Sequence, residues 1–140
     1  MIRRPLGSTG IEITPLGFGA WSVGGSDWEF SGPPERDADS IACMLHAFEL
    51  GVNWLDTAPV YGRGHSEELV GEIVRRLGGQ TPLIFTKCGR EWAAPDARPV
   101  SDLRPASIRS GCEASLRRLG VDAIDVLQHH VLHFPIGPGQ

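Results

Sequence analysis

Apolar residues in this chain alternate between short runs and longer stripes of helical period. Residues 2–6 and 11–14 read as two strands flanking Gly7-Ser8-Thr9-Gly10, a turn-rich quartet suited to a β-hairpin. After Pro15, residues 16–21 read as a buried strand whose glycines mark close packing, and residues 22–36, with Gly24-Gly25, Gly32 and Pro33-Pro34, as a long loop. Asp37 or Asp39 can cap a helix through Leu50 that puts Ile41, Met44, Leu45 and Phe48 on one face, with Gly51 where a left-handed residue ends it. Residues 52–55 form a strand of buried type ending in Asp56. Ser66, with Glu67 and Glu68, opens a second helix carrying Leu69, Val70, Ile73, Val74 and Leu77, which Gly78-Gly79 stops. Residues 83–86 are the next strand and end in Lys87. A long loop leads to Pro105 at the start of a third helix with Ile108, Cys112, Leu116 and Leu119 on one stripe, closed by Gly120. Residues 124–127 make the last strand, followed by Gln128-His129-His130.

The order is a hairpin, then β, α, β, α, β, α, β. Strands alternating with helices at roughly 30 to 40 residues imply parallel βαβ units and the α/β class. The 140 residues suit one domain, and 41% hydrophobic with 21% charged residues suit a folded one. A net charge of -4 leaves no basic excess to neutralise phosphates, which argues against nucleic-acid or anionic-membrane binding. Three widely spaced cysteines, Cys43, Cys88 and Cys112, suggest neither a disulfide framework nor a zinc ribbon. With no apolar segment after Arg3-Arg4 and no run long enough for a bilayer, a cytoplasmic location is expected.

Candidate chemistry collects at the strand ends. Three strands deliver Asp56, Lys87 and His129-His130 to their carboxyl ends, the face where parallel α/β proteins build active sites. Tyr61, the only tyrosine, lies five residues after Asp56. A buried lysine favours the phenolate of a neighbouring tyrosine and makes it a better general acid near neutral pH, while a carboxylate holds that lysine charged and oriented. A histidine can direct a carbonyl oxygen by hydrogen bonding. Such a set protonates a carbonyl oxygen but supplies no hydride, so a reductant must come from a cofactor. Two other enzyme classes could draw on these residues: a Schiff-base aldolase with Lys87 as nucleophile and Tyr61 as proton shuttle, and a metal hydrolase using His129, His130, Asp56 and His65. Adjacent histidines on one strand point to opposite faces, which counts against the metal. Each residue also has a plainer reading: a turn cap for Asp56, a rim charge for Lys87, loop packing for Tyr61, a structural role for His130 and for His129, and core for Trp21. Cys43 and Cys112 read as core, and the pairs Arg75-Arg76 and Arg117-Arg118 as helix-end surface charge.

Residues 55–62, Leu-Asp-Thr-Ala-Pro-Val-Tyr-Gly, followed by His65-Ser66-Glu67-Glu68-Leu69-Val70-Gly71, resemble the aldo-keto reductase signature. Phe85-Thr86-Lys87 and the stretch 115–130 resemble it too, as does the opening from Leu6 to Trp21. The resemblance implies a TIM-type (β/α)8 barrel and NADPH-dependent reduction of aldehydes or ketones to alcohols, with a small carbonyl compound as substrate. It places Asp56, Tyr61, Lys87 and His130 in the catalytic tetrad, with Tyr61 the proton donor and His130 rather than His129 in register. Trp21 falls beside the nicotinamide and substrate, and the loops holding Trp28, Phe30 and Trp92 would add aromatic walls. Such barrels need about 250 residues, so residues 1–130 are expected to form the N-terminal half of one, a truncated half barrel, and 131–140 an irregular tail. Open edges on its first and fourth strands would invite self-association. A non-catalytic, cofactor-binding regulatory role is the alternative that this shortness raises.

Overall fold

A computed structural model describes residues 1–25, 37–92 and 98–130. The tail expected at 131–140 and the loop positions Trp28 and Phe30 lie outside the described residues.

The opening hairpin pairs β1 (Arg4–Pro5) with β2 (Glu12–Ile13) antiparallel. Thr9 folds its turn by donating its hydroxyl to the Leu6 carbonyl at 2.6 Å. The hairpin is tied to the sheet through Thr14, whose N–H donates to Asn53 Oδ1 at 2.7 Å and whose carbonyl accepts from Trp54 Nε1 at 3.0 Å. Gly17 is obligatory here, because a Cβ would collide with the Trp54 ring.

Four strands form one parallel sheet in the order β3 (Phe18–Gly19), β4 (Trp54–Asp56), β5 (Leu83–Cys88), β8 (Val126–His129). Three helices intervene: α1 (Asp37–Glu49), α2 (His65–Leu77) and α3 (Pro105–Leu119). Side chains alternate across a strand, and this alternation sorts the sheet. Leu55 and Ile84 point to the helices and share a core with Ile41 and Met44 of α1, Leu69, Val70 and Ile73 of α2, and Leu119 of α3. Gly71 lets α2 and α3 approach, since a Cβ there would stand 2.7 Å from the Leu119 carbonyl oxygen. The other face carries Trp54 and Phe85, with ring centroids 4.9 Å apart, and above them Asp56, Lys87 and Gln128. Leu6 and Ile13 of the hairpin reach this inner face and line, with Trp54, Asp56, Phe85 and Gln128, a cavity of about 380 Å³.

Several expectations need correction. The strand expected at 16–21 is ordered as a strand only over Phe18–Gly19. The loop before α3 holds a second hairpin, β6 (Arg90–Trp92) with β7 (Pro99–Ser101). Ser66 does not cap α2; the helix begins at His65 after a left-handed Gly64, and Ser66 is buried one residue inside. Cys43 is exposed, because the buried face of α1 runs through Ser40, Ile41 and Met44. Pro105 and Gly120 do bound α3 as expected, the latter with φ of 67°. Among the described residues no helix is long and apolar enough to cross a membrane.

Candidate active site

The carboxyl ends of β4, β5 and β8 bring four of the expected residues together. Asp56 ends β4. Lys87 extends from β5 and donates from Nζ to Asp56 Oδ2 at 2.7 Å and to the Thr57 carbonyl at 2.9 Å. The ammonium also lies 4.9 Å from the centroid of the Tyr61 ring, a cation–π distance. Tyr61 is buried and opens the tight turn Tyr61–Gly64. Its ring meets the imidazole of His130 edge-on, with centroids 5.5 Å apart.

Strand register explains the choice between the two histidines. Lys87 pairs with Gln128 and Cys88 with His129, so Gln128 and His130 share the inner face while His129 faces away and is exposed. The His130 N–H bonds the Cys88 carbonyl at 3.0 Å, which carries the ladder one residue beyond β8. Its ring Nδ1 is buried and, among the described residues, has no hydrogen-bond partner. Burial first, and then the positive charges of Lys87 and Arg90, push its pKa down to about 4 against the opposing pull of Asp56. His130 is therefore neutral at pH 7 and can donate only one N–H.

Trp21 stands at the rim. Ala20 before it is pinned, its N–H donating to the Asp56 carbonyl at 2.8 Å and its carbonyl accepting from Ser66 Oγ at 2.8 Å. The Trp21 residue is left 48% exposed, so it is not core. Trp92 packs against the cluster of Ala58, Val60 and Tyr61, which brings the second expected aromatic wall to the tyrosine.

Three supporting contacts escaped the sequence reading. Gln128 Nε2 donates to Asp56 Oδ1 at 2.9 Å, so both carboxylate oxygens are engaged. Its spacing of two from His130 on one strand was the available signal. Ser66 Oγ also bonds Thr57 Oγ1 at 2.8 Å beneath the turn. Glu67, wholly buried, accepts from Thr86 Oγ1 and from Arg118 Nε, each at 2.6 Å. That contact ties α2 and α3 to β5 beside Lys87. Arg118 is thus a partner of a buried carboxylate, not the surface charge its place at a helix end suggests.

Four parallel strands, alternating helices and a strand-end cluster of carboxylate, lysine, tyrosine and histidine define an α/β protein of barrel type with its ionisable cluster at the carboxyl ends of the strands. The model of the Aldo/keto reductase family matches residues 15–135, and the chain belongs to that family. It is 36% identical over 138 residues to the NADH-specific methylglyoxal reductase of Escherichia coli (strain K12), covering 93% of this chain and 42% of that protein. It is 36% identical over 126 residues to the aldo-keto reductase YhdN of Bacillus subtilis (strain 168), covering 89% and 36%. Among solved structures it resembles the holo form of aldo-keto reductase AKR11C1 from Bacillus halodurans, with a TM-score of 0.79, 31% identity and 92% and 40% coverage. It also resembles the glycerol dehydrogenase AKR11B4 of Gluconobacter oxydans, with a TM-score of 0.77, 35% identity and 91% and 38% coverage. The chain spans about two-fifths of the length of these relatives, and its four-stranded parallel sheet is consistent with half of their TIM-type barrel.

Proposed function

We propose that this chain carries the proton-delivery half of a carbonyl reductase site, which converts a small aldehyde or ketone to an alcohol with NADPH as reductant. The observation that carries the reading is the Lys87 ammonium, held by Asp56 and the Thr57 carbonyl and set against the Tyr61 ring. In this reading Tyr61 holds the proton at its hydroxyl and delivers it to the carbonyl oxygen. Lys87 stabilises the phenolate left behind, Asp56 keeps Lys87 charged and in place, and neutral His130 orients the carbonyl by a hydrogen bond. Residues 1–130 act as one structural unit.

The residues present fit a nicotinamide. The Nδ1 of His130, buried and without a partner among the described residues, offers a polar atom on one side of the site, and the exposed Trp21 ring after β3 offers an aromatic surface on the other. When bound, a reduced nicotinamide supplies the hydride that none of these side chains can. Trp21 would hold that ring, and Trp92 would wall the substrate. NADPH is the expected form; the name of the E. coli relative specifies NADH for that protein. A cytoplasmic location goes with the three free cysteines. Self-association through the β3 and β8 edges of the four-stranded sheet is part of the same proposal.

An aldolase role for Lys87 fits less well, because an amine nucleophile must be neutral and this one is paired with a carboxylate. Titration of the chain with NADPH and with NADH, followed by quenching of its tryptophans, tests the cofactor assignment. Saturable binding in the micromolar range, tighter for NADPH, is expected; no binding of either up to millimolar concentration would refute it.

A further inference from the structure

We propose that Arg63 selects carbonyl substrates that carry a negatively charged group, a carboxylate or phosphate a few carbons from the carbonyl; the inference rests on the carbonyl site proposed above. The Tyr61–Gly64 turn carries three consecutive left-handed residues, Gly62, Arg63 and Gly64, with φ of 54°, 55° and 97°. Arg63 is the only non-glycine with positive φ among the described residues. Glycine adopts that conformation freely, whereas arginine holds it against its own Cβ. Such residues concentrate at ligand sites when the surroundings enforce them. Here they do: a Cβ on Gly62 would run into the Gly24 carbonyl, so the bend is clamped from the far side.

Arg63 Cζ lies 4.0 Å from the centroid of the Trp92 ring, and Trp92 packs on Ala58, Val60 and Tyr61. One indole therefore fixes an exposed cation and walls the proposed proton donor. Stacking leaves the guanidinium's in-plane N–H donors available for a carboxylate or phosphate fork. Arg75, Arg76, Arg104 and Arg118 each pair with a carboxylate, whereas no ion pair among the described residues engages Arg63. Of the other cations at the site, Lys87 is neutralised by Asp56 and Arg90 is half-buried at the start of β6. In a chain of net charge -4, Arg63 is thus an exposed positive charge beside the tyrosine that no described carboxylate pairs.

The test compares succinic semialdehyde with butanal, two four-carbon aldehydes that differ in one carboxylate, by calorimetric titration of the chain. The wild type is expected to bind the anionic aldehyde about tenfold more tightly, the effect of one charge-assisted contact. Arg63→Met should abolish that preference and leave butanal within about twofold of wild type. Arg63→Gly, which relaxes the backbone at this position, should do the same while remaining folded by circular dichroism. Equal wild-type affinities, or parallel loss of both aldehydes in Arg63→Met, would overturn the assignment of Arg63 and leave the reductase reading standing. A preference for the anion without NADPH consumption would overturn the reductase reading alone, and binding of neither aldehyde would overturn both.

Discussion

Lys87 and Asp56 link two strands of the site: Nζ to Oδ2 is 2.7 Å, from β5 to β4, with side chains 13% and 28% exposed. In such partial burial the pair is worth more than a surface ion pair, and its geometry is fixed by neighbours. Lys87→Met should therefore remove the charge beside Tyr61 and lower carbonyl reduction about 10²–10³-fold, within the usual range for acid–base assistance. Initial rates at saturating NADPH check this; a rate within threefold of wild type would contradict it.

Gln128 holds the free oxygen of Asp56. Gln128→Leu should leave the fold intact and let the carboxylate turn, reducing turnover about tenfold, a typical effect for a partner that orients a functional group. Gln128→Asn, one methylene shorter, should lie nearer to Leu than to wild type. The comparison is of kcat, with KM for the aldehyde expected to change little.

Removal of Arg118 should destabilise strongly. Arg118→Met leaves Glu67 buried with only Thr86 as partner, and an uncompensated buried carboxylate costs about 3 kcal/mol. Urea unfolding of the two chains measures it. Arg117→Met, one position earlier on α3, should change stability by less than about 0.5 kcal/mol.

Much of this was legible in advance. The helical stripes of α1, α2 and α3 and the apolar runs of β4, β5 and β8 carry strong periodicity, and the parallel α/β pattern placed Asp56, Lys87 and His130 on one face. Contacts made by long-range packing were not. Ser66 and Glu67 look like a capping motif, yet they turn inward because Ala20, Thr57, Thr86 and Arg118 offer partners that only the assembled fold brings near. The β6–β7 hairpin was hidden because Pro99 and the polar residues around it lack strand alternation.

Two groups should shape stability against pH in opposite senses. His130 has a native pKa near 4 against 6.5 unfolded, so the unfolded chain binds more protons between those values and stability rises with pH across them. Burial raises the Glu91 carboxyl above its ordinary value, with Oε1 buried and unpaired among the described residues. The native chain then holds the extra proton, and stability falls as pH rises from 4.5 through the native value. His130→Gln should flatten the first slope, and Glu91→Gln the second while raising the melting temperature at pH 7. Melting temperatures from pH 4 to pH 8 separate the two.

The most direct measurement is NADPH oxidation with butanal as the carbonyl, comparing wild type with Tyr61→Phe at equal cofactor saturation. Loss of about 10²–10⁴-fold in turnover with NADPH affinity unchanged is expected if the Tyr61 hydroxyl delivers the proton. Turnover in Tyr61→Phe equal to wild type would contradict it.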